Sequence, residues 1–200
     1  QDAIAIGRFD PDRDDLLIGM AAGEEGFVLL TARGEILAKH MLGHVQKLAV
    51  ANVRPDLPGL EYVTINFWGH PGITAVLDCK GQILTTFEPV PYASPLVPVN
   101  WAGDGSELLF LSAHPVDGGL LDGWGHRVVM FPLDGHPYTC CAAMDLTGDG
   151  RDELLTWDHQ SLWIYGADAP VPDGPRYRPI RPPHRHESNY MAHVSLPGWE

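Results

Sequence analysis

The feature that most constrains this chain is an apolar run followed by an Asp/Gly- or Pro/Asp-bearing turn, which occurs four times. The four copies align on Phe9, Val53, Trp101 and Leu146, at spacings of 44, 48 and 45 residues. Further short apolar runs follow each turn, separated by loops that carry Gly or His. A period of this length, with several short strands per copy, is typical of the blades of a β-propeller.

Composition agrees with a fold of short strands and many turns. The 200 residues include 22 Gly and 18 Pro, and 44% are hydrophobic, so the chain can form a packed core. No helical period of useful length is present. We therefore predict an all-β fold, a β-propeller of four-stranded antiparallel blades. About four blades are present, over residues 1–43, 44–91, 92–137 and 138–167, as part of a seven- or eight-bladed ring.

Residues 168–200 form a tail without a fifth copy of the turn. The tail is Pro-rich at first, and its last part, 189–196, has the composition of a strand that closes the ring. Three explanations for the small number of blades stay open: a fragment, a ring completed by another chain, or a tail that supplies missing strands. The start at Gln1, with no Met and no signal-peptide pattern, indicates a processed product or an excised piece of something longer. Among the three explanations we favour a C-terminal part of a longer protein.

Net charge and hydropathy limit the partners. A formal charge of −13 argues against nucleic acid, since phosphate binding needs clustered Lys and Arg. No run of 18 or more apolar residues is present, so the sequence predicts no membrane span.

The fourth turn carries oxygen-bearing side chains at alternate positions. Asp145, Thr147 and Asp149 alternate, a Gly turns the backbone, and Glu153 ends the loop. This pattern suits a divalent cation such as Ca²⁺, which takes six to eight oxygen ligands. The predicted metal site is Asp145, Thr147, Asp149, Arg151 and Glu153. The alternative is an Asp/Gly-rich turn that binds no ion.

A second repeated element, Trp-x-His, occurs at residues 68–70, 124–126 and 157–159. The alignment of copies places it between the second and third strands, at the face of a propeller where ligands usually dock. Aromatic rings stack on sugars, and a neighbouring His can transfer a proton near neutral pH. We therefore predict Trp68 and Trp124 as substrate-binding residues. The alternative is that each Trp packs between blades while its His holds the loop.

Two further regions are candidates for ligand contact. His44 and Tyr138 precede the first strands of the second and fourth copies, where side chains face a central channel, and both are predicted to bind substrate. Residues 184–190 gather two His, an Arg, a carboxylate and a Tyr, and His186 is the predicted substrate-binding residue there. The alternative for this segment is a polar, loosely ordered tail.

The turn from Asp145 to Leu154 resembles the FG-GAP type of calcium-binding propeller repeat. The wider pattern over Cys140–Trp199 resembles the propeller of rhamnogalacturonan-lyase-like proteins. It includes Trp157-Asp158, a strand ending at Tyr165, and a C-terminal stretch from Ser188 to Trp199. The resemblance implies Ca²⁺ as cofactor, a uronic-acid-containing polysaccharide as substrate, and a secreted or periplasmic location.

The same resemblance implies β-elimination next to a uronic acid, and so favours an enzyme. That reaction needs a base for the C5 proton, an acid for the leaving oxygen, and a positive group on the carboxylate. We predict His70 or His126 as the base, Tyr190 as the proton donor, and Arg185 or a bound ion as the carboxylate clamp. The motivation is a shared face. The competing class is a non-catalytic, calcium-stabilised propeller that binds carbohydrate or protein.

Overall fold

The computed structural model describes residues 2–68, 71–88, 95–171, 173–181 and 192–200. These residues form sixteen β-strands and no helix, which confirms the all-β prediction. Within the described residues, no helix has the length and apolar character that a membrane span requires.

The first fifteen strands form four sheets, numbered here in chain order. Sheet 1 contains β1 (Ala3–Gly7), β2 (Leu17–Ala21), β3 (Phe27–Thr31) and β4 (Ile36–His40). Sheet 2 contains β5 (Val45–Ala51), β6 (Glu61–Asn66), β7 (Thr74–Leu77) and β8 (Ile83–Phe87). Sheet 3 contains β9 (Val97–Val99), β10 (Leu108–Ser112), β11 (Gly119–Leu121) and β12 (Arg127–Val129). Sheet 4 contains β13 (Cys140–Met144), β14 (Glu153–Trp157) and β15 (Leu162–Tyr165), and β16 (Ala192–Val194) follows in the tail.

Each sheet is an antiparallel meander in which consecutive strands pair. Alternation along a strand decides which side chains enter a core, because successive residues point to opposite faces. In β1, Ala3 and Ala5 are buried against sheet 2, whereas Ile4 and Ile6 are exposed on the other face. All six residues of β6 are buried, since sheets 1 and 3 cover its two faces.

Three apolar cores join the sheets in sequence order. Phe27 and Tyr62 pack between sheets 1 and 2, with ring centroids 5.3 Å apart. Val63, the next residue after Tyr62, lies in the core between sheets 2 and 3. Phe110 packs in the core between sheets 3 and 4. Close approach requires Gly19 in β2, because a Cβ there would lie 2.7 Å from the Tyr62 ring.

A polar contact between consecutive sheets is repeated in the loops. The backbone of Asn52 exchanges hydrogen bonds with Glu107: Glu107 N donates to Asn52 O (2.8 Å), and Asn52 N donates to Glu107 Oε2 (3.3 Å). Asn100 and Asp152 make the same exchange, at 2.9 Å and 2.7 Å. Each buried acid therefore closes the contact between its own sheet and the preceding one, and we call these two pairs the Asn–acid latches.

Arg181 in the tail connects both latches. Its guanidinium donates to both carboxylate oxygens of Asp152, at 2.7 and 2.8 Å, and to Glu107 Oε1 at 3.2 Å. Ser195 Oγ also donates to Glu107 Oε1. Burial raises the pKa of Glu107, so these donors are needed to hold its charge inside the protein.

The tail also pairs with itself and with sheet 2. Tyr177 pairs with Trp199 and Ile180 pairs with Leu196, so residues 176–180 lie antiparallel to residues 196–200. Trp199 lies against Gly105, where φ is +97° and a Cβ would be 2.6 Å from the indole. Strand β16 pairs in parallel with β5, the first strand of sheet 2. β16 therefore lies within the stretch expected to form a strand, and it pairs with the first strand of sheet 2.

Two sheets differ from the strand assignment made on the sequence. In sheet 3, the Trp-x-His element at 124–126 was expected between the second and third strands. The third strand is β11 (Gly119–Leu121), which precedes that element, and β12 is the fourth strand. β11 has only three residues and begins in a Gly-rich stretch, so the sequence there did not predict a strand. In sheet 4, three strands are present among the described residues, one fewer than the four expected per blade.

Replacing Arg181 by Met should strongly destabilise the protein, because it leaves the buried Glu107 and Asp152 carboxylates without a cation. Breaking a buried ion pair in this way costs on the order of 3 kcal/mol. Urea unfolding measures the loss. Adding Asp152→Asn to Arg181→Met should recover part of it, while Arg33→Met, on the exposed turn after β3, should change little. Equal stability of Arg181→Met and wild type would contradict the proposed role.

Stability should fall as the pH rises from about 4.5 to about 8. Burial of Glu61 at the start of β6 raises its pKa to about 8. A raised pKa in the folded state stabilises the protein at low pH, and this contribution is lost as the group ionises. Urea unfolding across this range should therefore give a steeper decline for wild type than for Glu61→Gln. Glu35→Gln, at an exposed position, should follow wild type.

Candidate functional site

In each antiparallel meander, successive connections lie alternately at the two ends of the strands. We call these two ends of the sheet its edges. The loop between first and second strands and the turn between third and fourth strands share one edge, which we call the turn edge. The connection between second and third strands and the crossover to the next sheet share the other, which we call the crossover edge. Contacts agree with this division: His44, before β5, accepts through its backbone O a hydrogen bond from Phe67 N, after β6.

His44 lies at the crossover edge between two carboxylates. Its Nε2 is 3.3 Å from Asp2 Oδ2, and its Nδ1 is 3.0 Å from Glu24 Oε1. Asp2 and Glu24 belong to sheet 1, whereas His44 precedes the first strand of sheet 2. The predicted ligand-binding His44 therefore lies between acidic side chains of the neighbouring sheet.

Phe67 and Trp68 form an exposed aromatic pair at the same edge. Their ring centroids are 5.2 Å apart and nearly perpendicular. Trp68 is 66% exposed, so its indole ring presents a flat apolar surface to solvent. Such a surface can stack on the apolar face of a sugar ring, as predicted for Trp68.

The crossover edge continues across sheets 3 and 4 with further aromatic and His side chains. Tyr138, before β13, is exposed and makes an edge contact of 4.9 Å with the His114 ring. Trp157 ends β14 and His159 lies in the connection that follows. Both line an open hollow of about 440 Å³, together with Leu155, Asp158, Gln160, Ser161 and Leu162. The structure therefore places Trp68, His44 and Tyr138 at the crossover edge. His159, which was not among the predicted site residues, lies at the same edge.

Trp124 and His126 lie at the turn edge, whereas the sequence had placed them between the second and third strands, which corresponds to the crossover edge. The Arg54 guanidinium stacks on the Trp124 indole, 4.3 Å from its centroid, and belongs to the turn-edge loop of sheet 2. His126 Nδ1 is 3.0 Å from Asp122 Oδ2, within its own turn. The cause is β11, because an additional strand before the Trp124 turn moves that turn to the opposite edge.

The oxygens of the Asp145–Glu153 loop are directed at protein donors. Asp145 accepts from the backbone N of Gly148 (2.7 Å) and Gly150 (3.1 Å). Asp149 pairs with the Arg151 guanidinium at 2.8 Å, which lowers the pKa of Asp149.

Glu153 accepts from Leu146 N (2.7 Å) and from Thr147 Oγ1 (3.0 Å). Within the described ranges, no three His, Cys, Asp or Glu side chains are grouped as metal ligands. In this arrangement the donor set does not fit Ca²⁺, which needs converging oxygens, and calcium binding stays a prediction.

Four predicted site residues lie outside the described residues: His70, Arg185, His186 and Tyr190. The order of the sequence puts His70 in the connection between β6 and β7, two residues after Trp68.

Sequence reasoning missed the Arg181 network. Asn52 and Asn100 each follow the first strand of a sheet, and each precedes its acidic partner by 55 and 52 residues respectively. The two spacings are nearly equal and close to the repeat period. A search for Asn and acidic residues at this spacing could have predicted the latches. The role of Arg181 had no comparable pattern, because it lies outside the repeats.

Comparisons with known proteins give structural similarity without sequence similarity. No protein-family model matches the chain, and curated proteins gave no match. The exotype rhamnogalacturonan lyase YesX matches at a TM-score of 0.59 and 23% identity, over 83% of this chain and 30% of its own. The rhamnogalacturonan lyase YesW matches at 0.61 and 18%, over 97% and 34%. Bacillus licheniformis rhamnogalacturonan lyase PL11 matches at 0.55 and 20%, over 83% and 29%.

These matches define the class of fold: the chain is an all-β protein similar to part of the rhamnogalacturonan lyases. It spans about a third of the length of each of these structures. At these identities the similarity concerns the arrangement of strands, and the function has to be argued from side chains.

Trp124→Ala and Trp68→Ala should have different effects on stability. Trp124 is stacked under Arg54 between sheets 2 and 3, and its loss should cost about 1 kcal/mol. Trp68 is mostly exposed, so Trp68→Ala should leave the free energy of unfolding nearly unchanged. Urea unfolding of the two variants measures both. A larger loss in Trp68→Ala than in Trp124→Ala would contradict this assignment.

Proposed function

We propose that this chain is part of a polysaccharide lyase that cleaves a uronic-acid-containing polysaccharide of the rhamnogalacturonan type by β-elimination. The observation that carries the proposal is the row of aromatic and His side chains along the crossover edge. That row lies in a fold similar to rhamnogalacturonan lyases. A polymeric substrate of this kind is encountered outside the cell membrane, so the proposal includes a secreted or periplasmic location.

The proposal includes a β-propeller that continues beyond the four sheets. Sheet 1 has a second apolar face, on which Ile4, Met20 and Val28 are aligned across three strands. Ile6, Ile18 and Leu30 form the next row of that face.

Sheet 4 likewise has Ala142, Leu155 and Ile164 aligned on its outer face. Ile6 and Ile164 are each more than half exposed. Apolar faces at both ends of a stack favour further sheets of the same kind, from the same or another chain, as in a seven- or eight-bladed ring.

An extended sugar chain suits a row of separate aromatic side chains such as that of the crossover edge. The edge presents Trp68 on sheet 2 and Trp157 and Tyr138 on sheet 4, with His114 of sheet 3 touching Tyr138. Aromatic platforms separated along an edge bind successive sugar units of a polymer by stacking.

The proposed chemistry requires a base at C5 of the uronic acid. The base removes that proton, the C4–O bond breaks, a C4=C5 double bond forms, and an acid protonates the leaving oxygen. His70 is the proposed base, because it follows Trp68 by two residues in the sequence, between β6 and β7, and Tyr190 is the proposed acid. Arg185 is the proposed partner of the substrate carboxylate, since a protein of net charge −13 needs local positive charge to bind a polyanion.

Replacing His70 by Ala should abolish formation of the unsaturated product while sugar binding persists. The assay follows the ultraviolet absorbance of unsaturated uronate on rhamnogalacturonan, and affinity electrophoresis measures binding. His126→Ala is the matched control, because His126 lies at the turn edge and should retain activity. Trp68→Ala should weaken binding tenfold or more, consistent with loss of about 1.4 kcal/mol.

The opposite pattern, with His126→Ala inactive and His70→Ala active, would contradict the proposal. Retained polysaccharide binding without any unsaturated product from wild type would favour the second candidate, a non-catalytic propeller that binds carbohydrate. The exposed Phe67–Trp68 pair supports that candidate as well, since stacking needs no catalytic group.

A further inference from the structure

The Asp145–Glu153 loop has a positively charged neighbour that does not belong to it. Arg178, in the folded-back tail, donates from Nη2 to the backbone O of Gly148 at 2.8 Å. The same nitrogen is 3.9 Å from Asp145 Oδ2. One guanidinium therefore contacts a carbonyl and approaches a carboxylate of the turn.

Those two oxygens are of the type that a bound cation would use. A divalent ion in such a loop is coordinated by carboxylate and backbone carbonyl oxygens. Here the guanidinium supplies positive charge to the same groups, while backbone N–H groups occupy Asp145 and Arg151 neutralises Asp149. The loop is thus closed by two arginines and backbone donors.

The tail fixes the position of Arg178. Its backbone N donates to Gly198 O at 2.8 Å, in the same folded-back segment where Tyr177 pairs with Trp199. Tyr177 O accepts a hydrogen bond from Asn100 Nδ2, a member of the second latch. Arg178 is therefore held over the turn from both sides by ordered backbone.

We propose that Arg178 takes the place of a divalent cation in this loop, so that the loop folds without calcium. The positive charge that stabilises the turn is part of the chain, and the aspartates that resemble a calcium motif serve as hydrogen-bond acceptors. This inference is independent of the polysaccharide activity, because it concerns the turn edge.

Thermal unfolding of wild type, Arg178→Ala and Arg33→Ala tests the proposal, with each protein in calcium and in EGTA. Wild type and the control Arg33→Ala should have the same Tm in both conditions. In EGTA, Arg178→Ala should have a lower Tm than wild type, because the substitution leaves the Gly148 carbonyl and Asp145 without a cation. Calcium should raise the Tm of this variant by supplying that charge. Isothermal titration with calcium should give at least tenfold tighter binding to Arg178→Ala than to wild type.

Three results would overturn the proposal. The first is a wild-type Tm that falls in EGTA. The second is an Arg178→Ala variant as stable as wild type. The third is an Arg178→Ala variant that does not respond to calcium. If Arg178→Ala does not fold, Arg178→Lys provides the comparison, since it keeps the charge: its Tm should be equal in calcium and EGTA, and a lower Tm in EGTA would contradict the proposal.

Discussion

The stacking of the sheets depends on the Asn–acid latches and on the arginine that neutralises them. Apolar cores hold neighbouring sheets face to face, but cores are tolerant of small shifts, whereas hydrogen bonds have strict geometry. The exchanges between Asn52 and Glu107 and between Asn100 and Asp152 fix the position of each sheet against the next. Burying two acids is unfavourable without a partner, so Arg181 is required for the latches to exist.

This dependence explains why the tail belongs to the fold. Arg181 reaches sheets 3 and 4, β16 pairs with sheet 2, and Trp199 packs on Gly105 of sheet 3. One segment thereby contacts three sheets. Because that segment also positions Arg178, the order of the Asp145–Glu153 loop and the order of the latches are coupled.

The all-β architecture of repeated antiparallel sheets was predictable from the sequence because it depends on a period, and a period survives when individual residues vary. The position of the exposed aromatic and His side chains was only partly predictable, because it depends on counting strands. Missing β11, which has three residues in a Gly-rich stretch, changes an even number of strands to an odd one. That single omission moves Trp124 and His126 to the wrong edge, although Trp68 is placed correctly.

The predicted metal site illustrates a different limit. A pattern of alternating oxygens describes which atoms are available, and the partners of those atoms are decided by distant residues. Arg178 lies 25 or more residues after the loop it contacts, and no local pattern marks it. The same holds for Arg181, which the repeat does not include.

The position of Arg181 in the chain also has a consequence for the order of folding. Residues are made from the N-terminus onward, so Glu107 and Asp152 leave the ribosome before the arginine that neutralises them. Until Arg181 has been synthesised, burial of the ionised Glu107 and Asp152 carboxylates is unfavourable. Docking of sheets 3 and 4 is therefore unfavourable as well. Delayed docking of this kind leaves the apolar faces of the sheets open during synthesis, which is the period when a nascent chain most needs protection from aggregation.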